Sequence, residues 1–251
     1  MVTLDNLTVS YRQHPALHHI SGQFAKGSLT SVVGPNGSGK TTLLKTILGL
    51  LPVDSGQLVV QAARSHIAYL PQLSEIDRNF PIRVGECVQL GFWGEAGAWS
   101  GLSSAQLKRS DLALQTVGLD DFAHRPISTL SAGQLQRVMF ARLIVQDAQL
   151  ILLDEPFNAV DSQTTVALLS LLQMWHIQQR TVIAVVHDDV QVRNVFPQTL
   201  LLAREVVAWG PTAQVMTQAH LHKTRTMAHA WDESAPLCSP NMAKTGKVTT
   251  W

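Results

Sequence analysis

The sequence predicts an α/β fold in which a mixed sheet forms the core and a helical subdomain is inserted into it. Short apolar runs at residues 150–153 and 181–186 are bounded by polar residues, as in parallel strands that are covered on both faces. Residues 4–11 alternate apolar and polar side chains, which is typical of a half-buried strand. Helical patterns dominate between about Glu75 and Gln146. Strand patterns therefore stand on both sides of a helical insertion.

The remaining segments fit the same arrangement. We expect strands at residues 57–60 and 66–70, a helix at residues 162–179 and a hairpin at residues 199–210. A helix over residues 103–117 should have one apolar side, formed by Ala105, Leu107, Leu112, Leu114 and Val117. Apolar periodicity is lost beyond about Ala219, which predicts a weakly ordered tail.

These segments predict a single domain over residues 1–218 of the 251-residue chain. Its core would comprise about residues 1–74 and 147–218. Its helical subdomain would comprise about residues 75–146. The weakly ordered tail would then be residues 219–251.

Composition narrows the class of protein. An apolar fraction of 45% and a charged fraction of 15% suit a packed globular core. A formal net charge of +1 gives no broad electrostatic case for nucleic acid as a partner. Neither a signal peptide nor an apolar run long enough to cross a bilayer is evident, so a partner would have to hold the chain at a membrane. Cys87 and Cys238 match neither a zinc-site nor a disulfide spacing, which fits a reducing compartment.

Residues 34–41 carry the most specific signal. They read Gly-Pro-Asn-Gly-Ser-Gly-Lys-Thr, which matches the phosphate-binding pattern G-x-x-x-x-G-K-[ST] between a predicted strand and a predicted helix. The glycines let backbone N–H groups point at phosphate oxygens, and the helix N-terminus adds its dipole. We expect Lys40 to reach the β and γ phosphates and the Thr41 hydroxyl to bind Mg²⁺. A glycine-rich turn without function is the alternative, and the flanking elements argue against it.

Two strand ends carry further groups. Asp154 and Glu155 follow a buried strand at the edge where ligands bind in α/β sheets. Asp154 would hold the Mg²⁺ of ATP, and Glu155 would polarise a water for attack on the γ-phosphate. His187 follows another strand and would touch the γ-phosphate or orient that water. Ordinary solvated strand ends and a structural histidine are the alternatives, and the nearby phosphate loop favours the functional interpretation.

Residues 130–138 indicate a second anion site of undefined specificity. Ser131 is a good N-cap, Gly133 allows close backbone approach, and an apolar-periodic helix follows. Exposed N–H groups at such a helix start can bind an anion. The residues alone do not say which anion.

Taken in their order along the chain, these motifs resemble those of the ATP-binding subunit of ABC transporters. The resemblance covers about residues 4–216. The resemblance implies a P-loop NTPase (RecA-like) core, ATP hydrolysis, and ATP and Mg²⁺ as cofactors. It assigns nucleotide contacts to Tyr11, Gly34, Pro35, Asn36, Gly37, Ser38, Gly39, Lys40, Thr41, Thr42, Ser131, Gly133, Gln134 and Asp161. It assigns catalysis to Glu155, His187 and Gln72, and binding of the Mg²⁺ to Thr41, Gln72 and Asp154.

Two departures from the family pattern leave every expected chemical group in place. In residues 130–134, which resemble the family signature, Ala132 replaces the commoner second glycine. The D-loop at residues 158–161 lacks the usual S-A-L-D sequence but keeps Asp161. In the family the signature contacts ATP held by a second subunit. The resemblance therefore implies a head-to-tail dimer of two copies that sandwiches two ATP molecules.

Residues 69–84 are similar to the Q-loop region of manganese and zinc uptake ATPases, and Phe157 after Glu-Pro resembles the same group. This implies a bacterial importer of a divalent metal, zinc ahead of manganese. Its partners would be an integral-membrane permease that contacts about Gln72–Pro81 and a periplasmic or extracellular metal-binding protein. The chain would lie peripherally on the cytoplasmic face of the membrane. Uptake of another solute such as an iron chelate, or a soluble ATPase of iron–sulfur cluster assembly, is the alternative.

The tail contains metal-ligand residue types at irregular spacing. These are His220, His222, His229 and Cys238. A closed zinc site needs defined geometry, so incidental histidines in a weakly ordered segment are the favoured interpretation.

Overall fold

The computed structural model describes residues 1–11, 14–96, 101–229 and 247–250, with two sheets and a set of helices. The strands are β1 Val2–Tyr11, β2 His14–Phe24, β3 Leu29–Val33, β4 Ser55–Val60, β5 Ile67–Leu70, β6 Leu150–Asp154, β7 Thr181–Val185, β8 Gln198–Ala203, β9 Glu205–Pro211 and β10 Lys247–Thr250. The α-helices are α1 Lys40–Ile47, α2 Val84–Gln89, α3 Trp93–Ala96, α4 Ser104–Thr116, α5 Ala132–Gln146, α6 Ser162–Ile177, α7 Asp189–Val195, α8 Thr212–Val215 and α9 Gln218–His229.

The central sheet has the order β5-β6-β7-β3-β8-β9. Its first five strands are parallel, and β9 returns antiparallel to β8 through a turn at Arg204, whose φ is +61°. Every residue of β3, β6 and β7 is buried, because apolar side chains on both faces of these strands meet covering layers. The predicted mixed sheet and hairpin are thus confirmed.

A second, smaller sheet covers part of the core. Its order is β10-β4-β1-β2, with β1 antiparallel to both β2 and β4 and β10 parallel to β4. Val32 and Leu152 of the central sheet, Leu44 of α1 and Ile20 of β2 belong to one apolar cluster. Helix α1 is therefore buried between the two sheets, which fixes the start of α1 relative to the loop that precedes it.

The predicted helical segment consists of α2, α3, α4 and α5, which pack on one another beside the central sheet. Phe92, Phe140 and Leu114 belong to the apolar cluster on this side, together with Trp175 of α6. Where the core ends and the helical subdomain begins, at about residues 75 and 146, stays a prediction.

Helix α4 has the predicted extent, but only part of its predicted apolar side is buried. Leu114 and Val117 are buried as predicted, whereas Leu107 and Leu112 are 43% and 60% exposed and Ser110 is buried. The side of α4 that packs on α2 and α5 is therefore rotated from the one that the apolar pattern predicted.

Part of the predicted weakly ordered tail is helical. Residues 218–229 form α9, in which Thr224 is buried and Leu221 packs against the main apolar cluster. The sequence pattern missed this helix because its few apolar contacts come from tertiary packing rather than from a regular stripe. Among the described residues, every helix is too short or too polar to cross a bilayer.

Candidate nucleotide-binding site

Neighbouring strands of the central sheet end at the candidate site. Gln72 follows β5, Asp154 ends β6 and Glu155 comes next, His187 follows β7, and residues 34–41 follow β3. Because these strands are parallel, their carboxyl ends share one edge of the sheet. The fold therefore brings together residues that are far apart in sequence.

A cavity of about 530 Å³ lies at this edge. It is large enough for a phosphate-bearing ligand of drug-like size. Its lining consists of Ala16, Asn36, Gly37, Ser38, Gly39, Lys40, Thr41, Thr42, Gln72 and Glu155. Most of the residues expected from the phosphate-binding pattern thus face one cavity.

The phosphate loop is packed against the backbone of two strands. Gly39 has a φ of +93° and precedes α1, and a Cβ there would lie 2.4 Å from the Ala16 carbonyl oxygen of β2. A Cβ on Gly34 would lie 2.1 Å from the Leu202 carbonyl oxygen of β8. Only glycine fits both positions, so the curled loop has no side chain between its backbone and these strands.

Lys40 is held inside the loop. Its Nζ donates hydrogen bonds to the carbonyl oxygens of Gly34 and Pro35, both at 2.8 Å. Burial lowers the pKa of Lys40, while the nearby carboxylates of Glu155 and Asp154 raise it in part. A desolvated ammonium at this point is well suited to bind an anion that enters the cavity.

Asp154 is a fully buried carboxylate at the end of β6. Neither of its side-chain oxygens has a hydrogen-bond partner of good geometry. Burial raises the pKa of Asp154, and the side chains of Thr41 and Gln72 lie close enough to oppose part of that shift. Two unsatisfied buried oxygens are costly unless a cation or a proton meets them.

Glu155 lies at the centre of a hydrogen-bond network. Gln72 Nε2 donates to Glu155 Oε1 at 3.0 Å, and His187 Nε2 lies 2.9 Å from the same oxygen. Gln72 Nε2 is also 3.4 Å from the Thr41 hydroxyl. Only 21% of the Glu155 side chain is exposed, against 40% for His187. These contacts link the acid pair to the phosphate loop.

The second predicted anion site lies at the start of α5. Ser131 is the N-cap and Gln134 completes a capping box, with Gln134 N donating to Ser131 Oγ at 3.2 Å. A Cβ on Gly133 would be 3.1 Å from the Ala159 carbonyl oxygen. Asp161 caps α6 through the backbone N–H of Thr164 at 2.9 Å. None of Ser131, Gly133, Gln134 and Asp161 lines the cavity at the phosphate loop.

Three contacts at the site were not foreseen from sequence. Ala16 of β2 lines the cavity, Asn158 Nδ2 donates to Glu155 Oε2 at 2.5 Å, and Gln136 Nε2 donates to the Pro156 carbonyl oxygen at 2.6 Å. The contacts of Ala16 and Gln136 depend on how distant segments meet, and the contact of Asn158, a residue of the D-loop, depends on the turn that follows Glu155. The side chain of Tyr11, one of the expected nucleotide contacts, lies outside the described residues.

The tail histidines stay without a role in the described structure. His220 Nδ1 is 3.0 Å from the Val215 carbonyl oxygen, and His222 is exposed. Within the described part of the chain, no three histidine, cysteine, aspartate or glutamate side chains are grouped to hold a metal ion. The side chain of His229 and the whole of Cys238 lie outside the described residues.

Comparisons with known proteins agree with this geometry. Residues 17–158 match the ABC transporter family. The manganese transport system ATP-binding protein MntB of Bacillus subtilis (strain 168) is 40% identical over 228 residues, which cover 89% of this chain and 91% of that protein. The zinc transport system ATP-binding protein TroB of Treponema pallidum (strain Nichols) is 38% identical over 227 residues, which cover 88% of this chain and 85% of that protein.

A solved structure shares the fold. It is a dimeric ATP-binding cassette in a post-hydrolysis state, bound to ADP and Pi. It is 27% identical, with a TM-score of 0.76, and the match covers 84% of this chain and 99% of that one. The family match spans more than half of the chain, and the fold is that of an ABC ATPase cassette. The chain therefore belongs to the ABC transporter family.

Proposed function

We propose that this chain is the ATP-binding and ATP-hydrolysing subunit of an importer that takes up a divalent metal ion, zinc before manganese, through a partner permease. One observation carries the ATPase assignment: the Glu155 carboxylate is bound by Gln72 and His187 at the rim of the cavity that the phosphate loop lines. The metal assignment is supported by the manganese and zinc systems of the relatives and by residues 69–84.

The phosphates of ATP would lie against residues 34–42. Backbone N–H groups of this segment and the Lys40 ammonium would bind them, and the N-terminus of α1 would add its dipole. Tyr11 would stack on the adenine. Lys40 donates to two carbonyl oxygens of the loop. Phosphate oxygens can replace these two acceptors, and the buried ammonium then keeps hydrogen-bond partners throughout.

The residues around Asp154 fit Mg²⁺. Two unsatisfied buried carboxylate oxygens and the Thr41 hydroxyl are hard oxygen donors, which Mg²⁺ prefers. The amide of Gln72 now turns its Nε2 towards Thr41, and it would have to rotate to offer its oxygen as a further ligand. Asp154 would hold the ion together with Thr41 and Gln72. When bound, Mg²⁺ offsets the negative charge of the phosphates.

Glu155 would act as general base and His187 as the group that orients the γ-phosphate or the attacking water. A carboxylate is suited to take the proton of a water that attacks phosphorus. His187 Nε2 already lies within hydrogen-bond distance of Glu155, so the two side chains share one side of the reacting position. This arrangement supports in-line attack by one oriented water.

A second copy of the chain would complete each ATP site. Ser131, Gly133, Gln134 and Asp161 do not line the cavity of their own chain, which supports their use in a partner's site. The dimeric state of the solved cassette relative supports the same arrangement. The exposed N–H groups at the start of α5 would then meet phosphate oxygens held by the other subunit.

The permease would contact residues 72–81, where Phe80 is 57% exposed. A large apolar side chain in solvent supports a protein contact at this point. The chain would lie on the cytoplasmic face of the membrane, and a metal-binding protein outside the membrane would deliver the ion. Two copies of the single domain over residues 1–218 would together supply the groups for ATP hydrolysis.

Metal uptake in a strain that lacks the gene tests the proposal. We expect loss of radiolabelled zinc uptake that the wild-type chain restores and the Glu155→Gln chain does not. Selective loss of manganese uptake would instead identify manganese as the transported ion, in agreement with the relative from Bacillus subtilis. Unchanged uptake of both metals would contradict the metal assignment.

A further inference from the structure

Asn158 holds the oxygen of Glu155 that the other two contacts leave free. Asn158 Nδ2 donates to Oε2 at 2.5 Å, whereas Gln72 and His187 both bind Oε1. A hydrogen bond to an ionised acceptor is among the stronger ones that a side chain can make. Three donors from separate segments thus fix the orientation of this carboxylate.

The turn that carries Asn158 is held from several sides. Glu155 and Ala159 have φ values of +53° and +60°, which are unfavourable for residues other than glycine. The buried Gln136 of α5 donates to the Pro156 carbonyl oxygen, and Asn158 N donates to the Glu155 carbonyl oxygen at 3.3 Å. A strained turn persists only where its surroundings determine it. The Asn158 amide is therefore preorganised towards Glu155.

The three donors differ in what else they are needed for. Under the proposed function, Gln72 is assigned to the metal and His187 to the γ-phosphate, so each has a task that competes with its contact to Glu155. Asn158 has no such second task. Its contact is the one that can persist while ATP occupies the cavity.

We propose that Asn158 is a positioning residue for Glu155 in ATP hydrolysis. It binds Oε2 and leaves Oε1 to take the proton of the attacking water. Removing the amide would free the carboxylate to rotate, because a cavity of about 110 Å³ that Glu155 and Asn158 both line leaves room beside it. A base that samples several orientations spends less time in the reactive one. This inference rests on the proposed function.

Kinetics of Asn158→Ala and Asn158→Asp test the inference. We expect kcat for ATP hydrolysis to fall about tenfold, as for loss of a hydrogen bond to a charged group, with KM for ATP changed less than about twofold. The matched control is Asn194→Asp, the same change at an exposed position of α7, which should leave both constants unchanged. In a Glu155→Gln background, Asn158→Ala should cause no further loss. An unchanged kcat, or an equal fold loss in both backgrounds, would overturn the inference.

A measurement without nucleotide separates this inference from the proposed function. In NMR spectra of the chain labelled with carbon-13 at the glutamate side-chain carboxyls, the resonance that Glu155→Gln removes belongs to Glu155. In Asn158→Ala the chemical shift of that resonance should change, because the carboxylate loses a hydrogen-bond donor. In Asn194→Asp it should stay in place. A chemical shift that Asn158→Ala leaves unchanged refutes the contact itself, whereas absent hydrolysis by the wild-type chain refutes the proposed function alone.

Discussion

Alanine substitutions at three glycines of the phosphate loop can distinguish two contributions to the free energy of unfolding. One is the cost of a left-handed backbone, and the other is the cost of crowding by a Cβ. Gly37 has a φ of +75°, and a Cβ there would meet nothing within 4 Å. Gly34 lacks a positive φ, but its Cβ would lie 2.1 Å from the Leu202 carbonyl oxygen. Gly39 combines a φ of +93° with an approach of 2.4 Å to the Ala16 carbonyl oxygen. Alanine therefore tests backbone conformation alone at Gly37, crowding alone at Gly34, and both together at Gly39.

The expected losses in the free energy of unfolding follow from these distances. Gly37→Ala should cost about 1–2 kcal/mol, the usual penalty of a left-handed backbone for a residue with a Cβ. Gly34→Ala should cost about 1–3 kcal/mol, because a backbone carbonyl in a sheet yields little to an added methyl group. Gly39→Ala should carry both penalties and lose about 2–5 kcal/mol.

Urea unfolding of the nucleotide-free chain, followed by circular dichroism, measures these losses. Gly37→Ala is the matched control for Gly39→Ala, since both glycines have a positive φ and only one is crowded. Equal losses for the two variants would refute the role of β2 in shaping the loop. If Gly34→Ala left the free energy of unfolding unchanged, β8 would be able to move away from the loop.

Two charged groups of the site give further predictions. Asp154→Asn should stabilise the nucleotide-free chain at neutral pH, because burial raises the pKa of this carboxyl and disfavours its charged form. The favourable contribution of wild-type Asp154 is full below its ordinary pKa of 3.8 and is lost as the pH rises through the raised pKa. The stability difference between variant and wild type should therefore grow over that range, and a pH-independent difference in urea midpoint would contradict this reasoning. Lys40→Ala should weaken ATP binding at least about tenfold in calorimetry, and an unchanged affinity would mean that Lys40 does not contact the phosphates.

The sequence alone was sufficient to predict the candidate site residues that lie at the ends of strands. Residues 34–41, Asp154, Glu155 and His187 each follow a strong apolar run, and the parallel sheet then places them at one edge. Local pattern and global fold agree at these positions. The mixed sheet, the helical insertion and the hairpin were predicted for the same reason.

Contacts between distant segments could not be predicted. The approach of Ala16 to Gly39 and the bond from Gln136 to Pro156 depend on the packing of whole elements. The unexpected exposure of Leu107 and Leu112 in α4 has a related cause, since burial there follows the neighbouring helices rather than side-chain hydropathy. Residues 158–161 were predicted as the D-loop, but the hydrogen bond from Asn158 to Glu155 was not, because it depends on the turn that points Asn158 at Glu155.

Turnover of the Glu155→Gln chain tests the central claim most directly. ATP hydrolysis by the purified chain should fall about 10²–10⁴-fold, as expected for loss of a general base, while ATP binding is retained. The variant should also accumulate as a nucleotide-bound dimer in size-exclusion chromatography with ATP and Mg²⁺. Near wild-type turnover, with no gain in dimer, would contradict the assignment of Glu155 as the base of a shared ATP site.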